Sequence, residues 1–255
     1  MTKYLALALA LLAACGGAPK PAGPSPVPVP LGSNATQDSG PSTTEPPPDA
    51  ADRKHAFARL PTELSWNGNN AALADDIRFQ RVQQGAAFDI TEGPVVVVQG
   101  KVTTSQNQEV AYWAKKPHRI QCAKGADCIL FVHANAPAES RELFAQDIKW
   151  TQLDPSRPDP LVAPLWGDGT KEPNGFLMKM KAGGGPFWHI HRRDYHGVVL
   201  VGNVVSYESG TDAREMPPGS YWWQPNGNKH TTDCKGPSDC VIYLDFTGPF
   251  DVKAL

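Results

Sequence analysis

The sequence lacks an excess of charge of either sign and gives little indication of α-helix. Its 255 residues include 24 basic and 26 acidic side chains, for a net charge of −2 at pH 7. This balance argues against a nucleic-acid partner, because binding to phosphates needs an excess of positive charge. No Gly-x-Ser-x-Gly element supports a serine nucleophile, and only Ala138 to Gln146 favours a short helix. Elsewhere short β-branched and aromatic runs alternate with Gly, Pro, Asn and Asp turns, which predicts an all-β fold.

Long apolar runs are also scarce, and the run at the amino terminus is too short to span a bilayer. Residues 1–14 contain one lysine followed by leucines and alanines, which predicts a secretory signal peptide. Leu12-Ala13-Ala14-Cys15 resembles a bacterial lipobox, in which cleavage precedes Cys15 and its sulfur carries lipid. A plain signal peptide cut near Ala14 is the alternative. The lipobox predicts a lipid anchor at Cys15 in the bacterial cell envelope. Gly16 at the next position, rather than Asp, resembles the signals of outer-membrane lipoproteins, so we expect the protein at the outer membrane, facing the periplasm or the cell surface.

Large apolar residues are nearly missing from the next segment. Residues 15–54 are rich in Pro, Ser, Thr, Gly and Ala, so they cannot bury enough apolar surface to offset the loss of chain entropy. They predict a disordered or polyproline-like tether between a lipid and a folded region.

Cysteine is rare, and four of the five cysteines form two identical spacings. Five residues separate Cys122 from Cys128, and five separate Cys234 from Cys240. In an exported protein this predicts two local disulfides, each stabilising the fold by about 2 kcal/mol through loop closure. Metal binding by these cysteines is the alternative.

The cysteine spacing belongs to a longer internal repeat. Each copy has a Tyr-Trp pair, a proline and a histidine before its first cysteine, and an apolar run after its second. The copies predict two similar modules, over residues 55–148 and 149–255. The first copy keeps only His118, whose role stays open, and we expect its module to be metal-free. Three positions that hold histidine in the second copy hold other residues in the first, namely Ala87, Asp89 and Pro94.

Histidine is the residue type that indicates chemistry. His189 and His191 alternate on a predicted strand, so their side chains point to one side and can share an ion. His196 follows, and a turn rich in Gly and Pro returns the chain to His230. Converging imidazoles indicate a first-row transition metal. The alternative is that these histidines only pack or cap turns.

These residues resemble the two sequence motifs of the cupin superfamily. The first motif, which contains His-x-His, is matched by Gly183, His189, His191 and Gly202. The second motif is matched by Gly219, Pro225, Gly227 and His230, with Cys234 where asparagine is usual. At the usual glutamate the spacing allows Tyr195 or His196, and we favour His196 because imidazole is the commoner ligand. The order His-x-His-x-x-Asp-Tyr-His also resembles a subgroup of cupin-like domains of unknown function.

The resemblance implies two tandem cupin barrels, each a double-stranded β-helix or jelly roll. It further implies a small-molecule substrate or ligand and, as in many cupins, a homodimer. Asp194 and Tyr195 are candidates for orienting the ligands or moving protons, with turn formation and packing as the alternatives, and Gln224 and Tyr243 are candidates for lining the pocket. The implied metal is divalent Fe, Zn, Mn, Ni or Cu, and its candidate ligands are His189, His191, His196 and His230.

The reaction stays open, because cupins include dioxygenases, isomerases, sugar epimerases and non-catalytic binders. We expect a metal-dependent, oxygenase-like enzyme that acts on a small organic molecule. One alternative is a non-catalytic envelope protein that holds a small ligand through its metal. Another is a metal or stress sensor that acts through a protein partner.

Overall fold

The described part of the chain is almost entirely β-structure. The computed structural model describes residues 57–115 and 119–255, so the predicted signal peptide, tether, lipidated Cys15 and His118 lie outside the described residues. Two single 3-10 turns, Pro61–Glu63 and Ala145–Asp147, are the helical elements of this part, and none of its helices is long and apolar enough to cross a membrane. The strands are β1 Phe57–Arg59, β2 Asn70–Ala74, β3 Ile77–Val82, β4 Ala87–Phe88, β5 Val95–Gln99, β6 Val102–Thr104, β7 Glu109–Ala114, β8 Ile120–Cys122, β9 Cys128–His133, β10 Arg141–Phe144, β11 Thr151–Gln152, β12 Leu161–Trp166, β13 Asn174–Met180, β14 His189–Ile190, β15 Tyr195–Val201, β16 Asn203–Glu208, β17 Arg214–Met216, β18 Tyr221–Gln224, β19 His230–Lys235, β20 Cys240–Phe246 and β21 Lys253–Ala254.

The N-terminal module is one curled antiparallel sheet of nine strands. Its order is β2-β3-β9-β5-β7-β6-β8-β4, and β10 pairs with β7. Inside the curl, valines of β5 and β6 pack with Trp113, which is fully buried and donates its indole N–H to the Ile90 carbonyl at 2.9 Å. The sheet therefore encloses its own apolar core, as the all-β prediction requires.

The C-terminal module consists of two antiparallel sheets. One has seven strands in the order β1-β18-β15-β20-β13-β12-β11, and the other has five in the order β17-β16-β19-β14-β21. Strand β1 pairs with β18, although its residues fall in the range predicted for the first module. The N-terminal range 55–148 therefore contributes its first described strand to the sheet of the second module.

The outer face of the seven-stranded sheet packs against the N-terminal module. Aromatic rings from both modules meet there, with the ring centroids of Phe79 and Tyr221 6.5 Å apart and those of Phe131 and Tyr243 5.4 Å apart. These residues belong to one continuous buried cluster that draws on both modules. As a result the seven-stranded sheet has two buried faces, one toward the five-stranded sheet and one toward the N-terminal module.

The internal repeat is visible in the strand pairing. In each module the strand before the repeated glycine, β5 or β15, lies between two antiparallel neighbours. Gly100 and Gly202 then take positive φ angles of 81° and 80°. A Cβ at either position would lie within 3.0 Å of a cysteine Sγ, so glycine is required for both the turn and the close approach. Both predicted disulfides are confirmed, Cys122 with Cys128 and Cys234 with Cys240.

The prediction of a helix at Ala138 to Gln146 is wrong. The segment contains β10, Arg141–Phe144, which pairs with β7, followed by the start of one 3-10 turn. On β10, Leu143 packs against the cluster between the modules, whereas Phe144 packs against the core of the N-terminal module. Burial on two opposite faces suits a strand, whose side chains alternate, and it outweighs the weak helical propensity.

Candidate metal centre

Three buried histidines converge between the two sheets of the C-terminal module. His189 on β14 stands opposite His230 on β19, and His191 follows β14 directly. The Nε2 atoms of His189 and His191 are 3.1 Å apart, and one ring nitrogen from each of the three lies within 4.8 Å of the others. The structure thus brings together three of the four histidines that the sequence predicted as ligands.

Backbone carbonyls fix the orientation of all three rings. The Nδ1 atom of His189 lies 2.6 Å from the Phe187 carbonyl oxygen, and that of His230 lies 2.9 Å from the Asn228 carbonyl oxygen. The Nδ1 atom of His191 hydrogen-bonds to the Asp251 carbonyl oxygen. A carbonyl oxygen can only accept, so each Nδ1 carries the proton and each Nε2 presents a lone pair. This is the arrangement in which histidines usually bind metal ions.

The facing lone pairs suit a cation. Two unprotonated nitrogens 3.1 Å apart repel each other, whereas a divalent ion binds imidazole nitrogen at about 2.0–2.1 Å and relieves that repulsion. Burial, together with the nearby imidazoles, lowers the pKa of His191 to about 3 and that of His230 to about 4. Both rings are therefore neutral and able to bind metal at pH 7. The donor set fits a divalent transition metal in general and does not select one ion.

The Tyr195 hydroxyl lies beside the three histidines. The hydroxyl oxygen is 3.0 Å from His230 Nε2, and the Tyr195 ring stacks on Phe246 with centroids 4.8 Å apart. The side chain is buried, and burial raises the pKa of the phenol above its usual range. A hydroxyl here would either bind an ion held by the three histidines or hydrogen-bond to groups around it.

The assignment of His196 as a ligand is wrong. His196 follows Tyr195 on β15, so its side chain points to the opposite face of the seven-stranded sheet. There its Nδ1 lies 2.7 Å from the Tyr221 hydroxyl, and its ring centroid lies 6.3 Å from that of His133. His196 belongs to the contact between the modules.

The other predicted site residues take different roles. The Asp194 carboxylate accepts hydrogen bonds from the backbone N–H and the side-chain amide of Asn226, both at 2.9 Å, so it holds two loops together. Tyr243 is wrong as a pocket residue, because its neighbours Ile242 and Leu244 line the pocket while its own hydroxyl donates to Asp245 between the modules. Gln224 stands opposite Tyr195 in the β15–β18 register and is fully buried, next to Tyr195 rather than among the residues that line the pocket.

The carboxyl-terminal segment completes the site, and sequence reasoning missed it. Strand β21 pairs with β14, which carries the first ligand. The segment before β21 provides Phe250 and Val252 to the pocket wall and the Asp251 carbonyl to His191. No motif marks these residues. The pocket is otherwise lined by the three histidines, Tyr195, and Leu153, Met178, Pro186, Trp222, Thr232, Ile242 and Leu244.

A second buried polar cluster joins the two modules. His133 lies between two carboxylates, with its Nδ1 2.9 Å from an Asp245 oxygen and its Nε2 3.3 Å from an Asp76 oxygen. The Tyr243 hydroxyl donates to the same Asp245 oxygen at 3.1 Å and accepts from the Trp166 indole at 3.0 Å. This cluster lies on the face of the seven-stranded sheet that is turned away from the three histidines.

Comparison with known proteins agrees with this architecture. Residues 142–255 match a family described as Domain of unknown function (DUF4437), and nothing among the curated proteins matches the sequence. The oxalate decarboxylase of Lactobacillus farciminis, solved as a formate complex, superposes with a TM-score of 0.53 at 9% identity, over 80% of this chain and 89% of that chain. This likeness shows the fold, and the chain has a tandem cupin fold.

Two further solved structures are similar over parts of the chain. The oxalate decarboxylase of Bacillus subtilis has a TM-score of 0.46 at 14% identity, over 78% of this chain and 74% of that chain. The DMSP lyase of Ruegeria pomeroyi has a TM-score of 0.37 at 17% identity, over 47% of this chain and 72% of that chain.

Proposed function

We propose that this protein is an exported metal-dependent cupin that acts on a small organic molecule in oxygenase-like chemistry. The observation that supports it is the set of three neutral imidazoles whose Nε2 lone pairs converge beside an apolar pocket. Three protein ligands leave coordination positions for a substrate oxygen and a second small molecule. When bound there, a divalent ion would polarise the substrate or activate a small molecule beside it.

The protein's own residues would prepare the ion and its surroundings. The carbonyls of Phe187, Asn228 and Asp251 keep the three rings in the binding tautomer. The Tyr195 hydroxyl, 3.0 Å from His230 Nε2, would donate a hydrogen bond beside an ion held by the three histidines. The largely apolar wall, which includes Met178, Leu244 and Phe250, would contact the organic part of a substrate.

Replacing His189 and His191 by alanine together is expected to lower metal affinity by more than about 100-fold, because even the loss of a group that orients a ligand costs 10–100-fold. Metal content per chain is measured by elemental analysis after dialysis, for the natural protein and the double variant. His196→Gln is the matched control, since His196 lies on the opposite face of the sheet, and it should retain metal. Equal metal content in the natural protein and the double variant would refute the assignment.

Turnover separates the enzyme from a non-catalytic binder. Iron-loaded protein that consumes oxygen in the presence of a candidate substrate supports the enzyme. Tightly held zinc with no turnover supports a protein that only holds a ligand through its metal.

We also propose that a lipid on Cys15 anchors the protein in the bacterial cell envelope, on the basis of the sequence Leu12-Ala13-Ala14-Cys15 alone. We expect Cys15→Ser to move the protein from the membrane fraction to the soluble fraction, since the lipid would be its anchor. Fractionation with mass measurement of the mature amino terminus checks this. A serine variant that still cosediments with membranes would contradict the anchor.

A further inference from the structure

The three ligands of the metal site carry no negative charge, although Glu208, whose charge acts on Tyr195, stands opposite His230 in the β16–β19 register. Its group consists of three imidazoles, with the Tyr195 hydroxyl beside them, and no carboxylate among the described residues joins it. The carboxylates of Asp194, which precedes Tyr195, and of Asp251, whose backbone carbonyl hydrogen-bonds to His191, are engaged elsewhere. Asp194 binds the Asn226 amide groups, and one carboxylate oxygen of Asp251 accepts the Arg192 backbone N–H at 3.0 Å. A divalent ion held here would keep its full charge.

The surroundings make that charge costly to leave unbalanced. The pocket walls next to the histidines are aliphatic or aromatic, including Met178, Ile242 and Leu244. In such a medium water screens poorly, so an unpaired charge is much less favourable than one matched by an opposite charge. A ligand that brings a negative charge to the ion would meet this requirement.

One buried hydrogen-bond donor on the same side of the sheet also lacks a partner. Gln224 stands directly opposite Tyr195 on the neighbouring strand, so both side chains project from one face of the sheet. The Gln224 side chain is 1% exposed, and its Nε2 has no acceptor among the described residues. Buried amide donors are nearly always satisfied, and an oxygen of a bound anion would provide the acceptor.

We propose that this site binds a small organic monoanion, such as a short-chain carboxylate, with its anionic oxygen at the ion and its apolar part against the aliphatic wall. The inference rests on the proposed function, because it requires the ion. The anion takes the place of the glutamate that usual cupin sites contain, and Gln224 contributes a hydrogen bond to its oxygen. The site would then select negatively charged ligands because its three protein ligands carry no charge.

The test compares an acid with its uncharged analogue of the same shape. Protein loaded with Co²⁺ is titrated with butyrate and with butyramide, and binding is followed by the visible spectrum of the ion and by calorimetry. We expect butyrate to bind at least about tenfold more tightly than butyramide, because a charged oxygen makes stronger hydrogen bonds and stronger contacts with a cation than a neutral one. Equal binding of the two, or a spectrum that neither changes, would overturn the inference.

Two variants locate the effect in the chain. Tyr195→Glu supplies a carboxylate beside the ion and is expected to abolish the preference for butyrate, while Tyr195→Phe, which adds no charge, should keep it. Gln224→Leu should weaken butyrate binding about fivefold to tenfold through the lost hydrogen bond and leave Co²⁺ content unchanged. If the glutamate variant does not fold, the natural protein and Gln224→Leu still decide the matter.

The two proposals fail in different ways. If Co²⁺ does not bind stoichiometrically, or binds equally in the variant with His189 and His191 replaced, the proposed function fails first. If Co²⁺ binds as expected but the acid shows no advantage over the amide, the metal site stands and the charge argument is wrong.

Discussion

At pH 4 the metal-free protein is expected to have lost on the order of 5 kcal/mol of the free energy of unfolding that it has at pH 7. Burial and the neighbouring imidazoles lower the pKa of His191 from 6.5 to about 3, and burial and His189 lower that of His230 to about 4. Below pH 6.5 the unfolded chain takes up these protons, whereas the folded protein resists them until about pH 4. The stability that both rings contribute above pH 6.5 is therefore lost as the pH falls through this window.

His133 opposes this trend and does not reverse it. Burial lowers its pKa, but the hydrogen bond and charge of Asp245, followed by Asp76, outweigh burial and raise it above 6.5. A raised pKa contributes stability that is complete below pH 6.5 and is lost as the pH rises through the higher value. The metal-free protein should thus be most stable near neutral pH.

Urea unfolding followed by tryptophan fluorescence at a series of pH values measures this dependence. A variant with His191 and His230 both replaced by glutamine should have a much flatter profile between pH 6.5 and 4, because neither position then titrates. Saturating Zn²⁺ should move the acid transition of the natural protein to lower pH, since the ion competes with protons for Nε2. An unchanged free energy of unfolding between pH 7 and 4 in metal-free protein would contradict the assigned environments of these rings.

The sequence was sufficient to predict the ligands that lie within one motif each. His189 and His191 share a face because they alternate around β14, and the turn before His230 brings it opposite His189. Both disulfides followed from spacing and the expected compartment. These predictions needed only local periodicity and the repeat.

The choice between Tyr195 and His196 could not be made from the sequence. A shift of one residue on a strand moves a side chain to the other face, and the parity set by His189 and His191 does not carry through the loop before β15. The path of that loop depends on the contact between Asp194 and Asn226, which lies 32 residues along the chain. The same dependence on distant partners explains why Phe250 and Asp251 were missed.

The contact between the modules had no sequence pattern to indicate it. Asp245 and His133 are 112 residues apart, and neither lies in a motif. Their role in the contact between the modules becomes visible only when the seven-stranded sheet is seen to have two buried faces. In the sequence alone, a carboxylate such as Asp245 on an apolar strand would instead suggest a ligand pocket. The three histidine ligands lie on one side of this sheet, and the polar cluster of His133 and Asp245 lies on the other side.

Asp245→Ala is expected to lower the free energy of unfolding by about 3–5 kcal/mol, the usual loss when one member of a buried ion pair is removed. Asp245 is 1% exposed, and one of its oxygens receives both His133 Nδ1 and the Tyr243 hydroxyl. Without it the His133 imidazole keeps only Asp76 as a partner, and the Tyr243 phenol loses its acceptor inside the contact between the modules. The measurement is urea unfolding at pH 7.

The partner substitution shows whether the loss arises from the pair. His133→Ala combined with Asp245→Ala should cost clearly less than the sum of the two single changes, because the double variant leaves neither of these two side chains facing a missing partner. Glu215→Ala, which removes an exposed ion pair with Lys235, is the matched surface control and should leave unfolding nearly unchanged. Additive losses would mean that His133 and Asp245 act independently. Metal content should stay constant throughout, because the three ligands face the opposite side of the sheet, and a parallel loss of metal would show that the two faces are coupled.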